Sequence, residues 1–136
     1  GNINSSLDIE MNQNKKKIHQ KILLVEHNVF IRDALRGAFE LKGFTVVAAV
    51  SADEGLKKVK SNKFNIIIAD YELPDLNGLE FFLLAGRFNS DSLKIILTIY
   101  GDIEKPHYIE KYGIDYALEK PFRFEEILKI IVQRFP

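Results

Sequence analysis

Cysteine is absent from the 136 residues, which excludes disulfides and thiolate-based metal or redox chemistry. A reducing compartment fits that absence, and the cytoplasm is the expected location. Neither sign of charge is in excess, since Lys+Arg and Asp+Glu stand at 19 each. No whole-domain field therefore draws the chain to nucleic acid or to an anionic surface, and any partner has to be recognised locally. No apolar run approaches the roughly 20 residues of a membrane span. A charged segment leading into an apolar stretch and a small-residue cleavage site, the mark of a secretory signal, is missing as well. Direct nucleic-acid binding and membrane insertion are not expected. What remains, at 46% hydrophobic and 28% charged residues, is the composition of an ordinary globular protein long enough for one core.

Residues 1–20 are rich in Asn, Ser, Gln and Lys without apolar periodicity, the texture of a flexible polar leader or linker. The run Lys15, Lys16, Lys17 reads as part of that solvated tail. Residues 21–136 form the expected domain, in which short apolar runs alternate with segments of helical period. ILLV at 22–25, NIIIA at 65–69 and KIILTI at 94–99 are uninterrupted apolar runs, as in strands buried on both faces. FTVVAAV at 44–50 and YAL at 116–118 are weaker members, which makes five strands. Ile31, Ala34, Leu35, Ala38, Phe39 and Leu41 give a helix after a cap at Asn28 and before a stop at Gly43. Ser51 with Glu54 has the spacing of a capping box for a second helix carrying Leu56 and Val59. Residues 79–88 and the segment from Phe124 to Phe135 also read as helices, and Pro106 limits the helix between Asp102 and Tyr112 to a short or irregular one.

Strands alternating with helices imply right-handed crossovers and a parallel sheet covered on both faces. In such sheets the functional crevice lies beyond the carboxyl ends of the strands, at the switch point of strand order. Those ends carry Glu26, His27 and Asn28, then Asp70, then Thr98, then Lys120. A carboxylate can attack a phosphoryl group to give an acyl phosphate. The spread negative charge then calls for a hydroxyl, an ammonium group and a divalent cation. Singly, each residue has a plain alternative, because Asp is a common turn former, Thr a common strand residue and Lys before Pro a common surface residue. Their joint placement on separate strand ends carries the reading of a phosphate-type site.

The motifs KILLVEHN, IIIADYELPDLNGLEFF, KIILTIYGD and GIDYALEKPF resemble, in order and spacing, those of a two-component response-regulator receiver (CheY-like) domain, from Lys21 to about Phe135. The resemblance implies a doubly wound five-stranded parallel α/β sheet, (βα)5 and flavodoxin-like, with strand order 2-1-3-4-5. It implies a signalling module rather than an enzyme, self-phosphorylating at most, in a two-component phosphorelay. Asp70 would be the phosphoacceptor, Thr98 the switch hydroxyl and Lys120 the partner of the phosphoryl oxygens, next to a cis Lys-Pro peptide. Magnesium would be held by Glu26, Asp70 and the main-chain carbonyl of Glu72, with Pro74 and Gly78 turning the loop. A sensor histidine kinase or phosphotransfer protein would be the donor, and a downstream protein or fused output domain the recipient of the signal. Self-association is expected to be weak, because the helix carrying Pro106, which with the fifth strand often forms the family's dimer face, looks short.

Three positions depart from the pattern. His27 stands where the family usually has a second acid, and an imidazole is a poor ligand for a hard, oxygen-seeking ion, so weakened magnesium affinity is expected. Ile99 replaces a usually small residue and is expected to narrow the entry to the phosphate pocket. Ala117 replaces the usual switch aromatic; Tyr116 is one position early and faces the other way by strand alternation, and Tyr100 is the remaining, less favoured candidate for the reporter. These departures leave two further readings open. One is a pseudo-receiver, an interaction module without regulated phosphorylation. The other is a small aspartyl-nucleophile phosphatase of the haloacid-dehalogenase type, against which Asp70-Tyr-Glu-Leu-Pro74 fails the motif. A dinucleotide-binding domain is weaker still, because EHNVFIRD has no glycine loop.

Overall fold

A computed structural model describes residues 20–99 and 110–136. Residues 1–19 of the expected leader (1–20), Tyr100 and the start of the expected helix carrying Pro106 lie outside them. Five parallel strands, β1 (Lys21–Val25), β2 (Thr45–Ala49), β3 (Ile66–Asp70), β4 (Leu93–Thr98) and β5 (Tyr116–Glu119), form one sheet of order β2-β1-β3-β4-β5. The strand-order expectation of 2-1-3-4-5 is met. Strand β3 lies at the centre between β1 and β4; residues 22–25 of β1 are all apolar and fully buried, and every residue of β3 and β4 is buried too. Edge strands β2 and β5 are less buried, each with exposed and half-buried residues, which is why their runs are the weaker ones in the sequence.

The helices are α1 (Val29–Leu41), α2 (Ala52–Ser61), α3 (Gly78–Ala85) and, at the carboxyl end, α4 (Phe124–Arg134). Residues 110–112 are helical as well. Asn28 caps α1 by accepting from Phe30 N at 2.9 Å and Ile31 N at 3.1 Å, and the chain leaves α1 through Gly43 at φ 92°, a conformation that favours glycine. Ser51 caps α2 by accepting from Glu54 N at 3.2 Å. The two faces of the sheet have separate cores. Helices α2 and α3 cover Leu23, Val25, Ile67 and Ile96 with Val59, Phe81 and Phe82. Helices α1 and α4 cover Ile22, Leu24, Ile68 and Leu97 with Phe39 and Ile127, Phe39 meeting Phe124 edge-on at 4.9 Å between centroids. No helix among the described residues is long and apolar enough to cross a membrane.

Helix α3 is shorter than the 79–88 expected from the sequence. It starts at Gly78, capped by Asn77, and ends at Ala85. The reason is a polar knot beyond its end. The buried Asn89 accepts from Phe64 N at 2.7 Å and donates to Val59 O at 3.1 Å and Asn62 O at 3.2 Å, while Lys63 Nζ donates to Phe88 O at 2.6 Å. Residues 88 and 89 are thereby tied to the end of α2 and the segment after it, while their own N–H groups turn back to Ala85 O at 3.0 and 3.1 Å. Replacing Asn89 by Ala leaves one donor and two acceptors without this partner, and we expect a loss of about 1–3 kcal/mol in urea unfolding at unchanged m-value. A change within error would mean that water replaces the amide at no cost.

Candidate functional site

The register of the sheet assembles the site. Val25 pairs with Ala69 across β1 and β3, so the next residues on the two strands, Glu26 and Asp70, emerge side by side at the switch point. Asp70 pairs with Leu97 and Thr98 with Glu119, which brings Thr98 and then Lys120 to the same edge. Glu26, Asp70 and Thr98 are all buried. The peptide Lys120–Pro121 is cis, and Lys120 N donates to Thr98 O at 2.8 Å. The Lys120 ammonium group reaches back to ion-pair with Asp70 Oδ2. The other oxygen, Oδ1, accepts from Glu72 N at 2.9 Å.

The loop after Asp70 is closed on itself. Gly78 N donates to Tyr71 O at 2.7 Å, Glu72 and Asn77 form a bridge, and a Cβ on Gly78 would stand 2.5 Å from Asp70 O. Only glycine lets α3 start that close to the acidic residue. Glu26 is held from two sides. Its N–H donates to Ala49 O at 3.0 Å and its Oε1 accepts from Asn28 N at 3.0 Å. Arg32 Nη1 donates to the carbonyls of Glu26 at 2.9 Å and His27 at 3.2 Å. Glu26 Oε2 is buried with no donor.

Burial, then the adjacent Asp70 carboxyl, raises the Glu26 pKa from 4.5 to about 7, against the opposing pull of the Asn28 N–H and the Lys120 charge. Two adjacent carboxyl groups can share a hydrogen bond only when one carries a proton, so a bare Oε2 calls for a proton or a cation. A pair of carboxylates is a donor set that suits a hard divalent ion retaining several waters.

The structure therefore brings Glu26, Asp70 and Lys120 together, with Thr98 at the same edge. His27 is exposed, and among the described residues no three His, Asp or Glu side chains gather as a metal cluster. Ile99 is 57% exposed just beyond Thr98, and Ala117 is half-buried on the face of Ile96, Ile114 and Tyr112. The sequence reading missed Arg32 and Asp75. Their signals, an arginine in a helical face and an aspartate in a turn, are too common to single them out.

A five-stranded doubly wound sheet with an acidic pair and a lysine at its switch point defines a receiver-type α/β domain. A family model described as "Response regulator receiver domain" matches residues 22–132, and the chain belongs to that family, the receivers of two-component signalling. It is 32% identical over 111 residues to Nodulation protein W of Bradyrhizobium diazoefficiens, an overlap of 82% of this chain and 49% of that protein. The chain spans about half the length of that relative and of the DctR regulator from Priestia megaterium. Among solved structures it is similar to a CheY-like receiver domain protein from Methanospirillum hungatei, with TM-score 0.80 and 29% identity over 86% of this chain and 94% of the other. It is also similar to a response regulator from Burkholderia pseudomallei containing a phosphorylated aspartic acid, a calcium ion and citrate, with TM-score 0.76 and 28% identity over 82% of this chain and 66% of the other.

An acid whose pKa is raised on folding contributes stability that is full below its unfolded value of 4.5 and lost as pH rises through about 7. In cation-free buffer the thermal midpoint is expected to fall between about pH 4.5 and about pH 7, and Glu26→Gln is expected to flatten that fall. Parallel profiles for the two proteins would show that Glu26 ionises in the fold as it does in the open chain.

Proposed function

We propose that Asp70 accepts a phosphoryl group from the phosphohistidine of a sensor kinase or phosphotransfer protein, and that the change alters binding of a downstream protein. One Asp70 carboxylate oxygen attacks phosphorus, the bond from phosphorus to the imidazole nitrogen breaks, and the imidazole leaves with the bonding pair. The ion pair of Lys120 with Asp70 carries this reading. It holds an ammonium group where the equatorial oxygens of the transferring phosphoryl group arrive, and Thr98 offers a hydroxyl at the same edge. Lys120 then exchanges the carboxylate for the phosphoryl group. Magnesium, held by Glu26, Asp70 and the main-chain carbonyl of Glu72, would neutralise the developing charge when bound. The phosphorylated aspartic acid of the Burkholderia structure supports the assignment by similarity.

A second reading, a receiver fold used only for protein interaction, is favoured by one observation. His27, at the place of a usual second acid, is exposed, and no three-ligand cluster forms among the described residues. The test is intact-mass detection of a phosphoryl or beryllofluoride adduct in the presence of magnesium, with Asp70→Asn as the control. An adduct that requires both the metal and Asp70 is expected. Failure with acetyl phosphate, beryllofluoride and a phosphorylated histidine kinase alike would establish the interaction-only reading. A kinase donor that succeeds where acetyl phosphate fails would assign Ile99 the role of restricting entry.

A further inference from the structure

The amino end of α2 presents three N–H groups that its own ladder cannot satisfy. Ser51 Oγ accepts the one from Glu54. The other two are taken by a residue from a different loop: Asp75 Oδ1 accepts from Ala52 N at 2.9 Å and Asp75 Oδ2 from Asp53 N at 2.8 Å. Oδ1 also accepts from Leu76 N at 3.1 Å. Asp75 lies in the loop between Asp70 and α3, so its carboxylate bolts that loop to a helix more than twenty residues earlier in the chain. Its slight burial raises the pKa, but the backbone donors outweigh this and hold it below 3.8, which keeps the group charged at the positive end of the helix.

The bolt completes a ring. Glu26 N donates to Ala49 O. Ala49 ends β2 and leads through Val50 and Ser51 into α2. Asp75 ties α2 to the loop, Glu72 N in that loop donates to Asp70 Oδ1, and the carboxyl groups of Asp70 and Glu26 are in contact. When both acids are ionised they repel; Tyr71 N, donating to Leu97 O at 2.8 Å, ties the start of the Asp70 loop to β4, and Asp75 ties its far part to α2. We infer that Asp75 is a positioning residue that holds the spacing of Glu26 and Asp70, and with it the geometry for cation binding and phosphoryl transfer, by clamping the loop to α2. The inference rests on the reading of Asp70 as phosphoacceptor.

A cap that serves only stability would affect α2 alone, so the comparison is between two caps of one helix. Asp75→Ala and Asp75→Asn remove or weaken the bolt, whereas Ser51→Ala removes a cap that does not touch the loop. Two readouts separate the questions. The first is the amide shift and hydrogen exchange of Glu26 and Glu72 by NMR without metal or donor; the second is magnesium affinity and the phosphorylation rate. Asp75→Ala is expected to move the Glu26 and Glu72 amides and to lower the phosphorylation rate by about tenfold or more, with partial recovery in Asp75→Asn. Ser51→Ala is expected to leave both at wild-type values. Amide changes confined to α2, or equal rates in the Asp75 and Ser51 variants, would overturn the inference. If the Glu26 amide responds to Asp75→Ala but the wild type takes no phosphoryl group from any donor, the clamp stands and the phosphoacceptor reading falls.

Discussion

Two carboxyl groups are buried in contact at one edge of this sheet, and the arrangement around them follows from that contact. Parallel pairing of Val25 with Ala69 makes Glu26 and Asp70 neighbours whether or not their charges agree. Two like charges at such range, out of water, interact far more strongly than at the surface. The surroundings answer with positive groups: the Lys120 ammonium group and Glu72 N–H on Asp70, and the Asn28 N–H on Glu26. These leave one acceptor, Glu26 Oε2, unanswered. That deficit is one that a proton or a cation would fill.

The opposite edge shows what a fully answered arrangement looks like. The buried Lys94 sits at the amino end of β4, and burial lowers its pKa against the opposing pull of Asp115 and Asp91. Its ammonium group donates to Ser92 O at 3.0 Å and Ser90 O at 3.2 Å, and the backbone N–H of Lys94 donates to Asp115 Oδ2 at 2.8 Å. With the Asn89 knot beside it, that edge is a satisfied network, and such networks rigidify a fold. The polar groups of one edge are closed among themselves, while those of the other are left partly open. The exception, an unsatisfied buried acceptor, thus stands at the carboxyl ends of the strands, while the costly buried lysine at the other edge is satisfied.

Much of this was legible in the sequence because burial on both faces leaves a plain signature. ILLV and NIIIA read as strands buried on both faces, and the strand-end rule then points to Glu26, Asp70, Thr98 and Lys120. The caps at Asn28 and Ser51 were legible for a similar reason, since each acts within three residues of itself. What escaped was long-range. The end of α3 is decided by Asn89 and Lys63 reaching to other elements, so the apolar pattern continuing to Phe88 misled. Asp75 looks like any turn aspartate, and its bonds to residues 52 and 53 have no local trace.

The departure at His27 illustrates the same limit from the other side. The sequence shows that a usual acid is missing, and an inventory of ligands would stop there. The structure adds that the remaining acid is the longer Glu26, anchored at Oε1 and with Oε2 free of donors beside Asp70. A hard ion that keeps most of its water needs only one or two carboxylates, with substrate oxygens supplying the rest. On the proposed reading, loss of the second acid would weaken the resting site more than the loaded one, because an arriving phosphoryl group would bring its own anionic oxygens. The departure at His27 and the reading of Asp70 as acceptor are compatible on that ground.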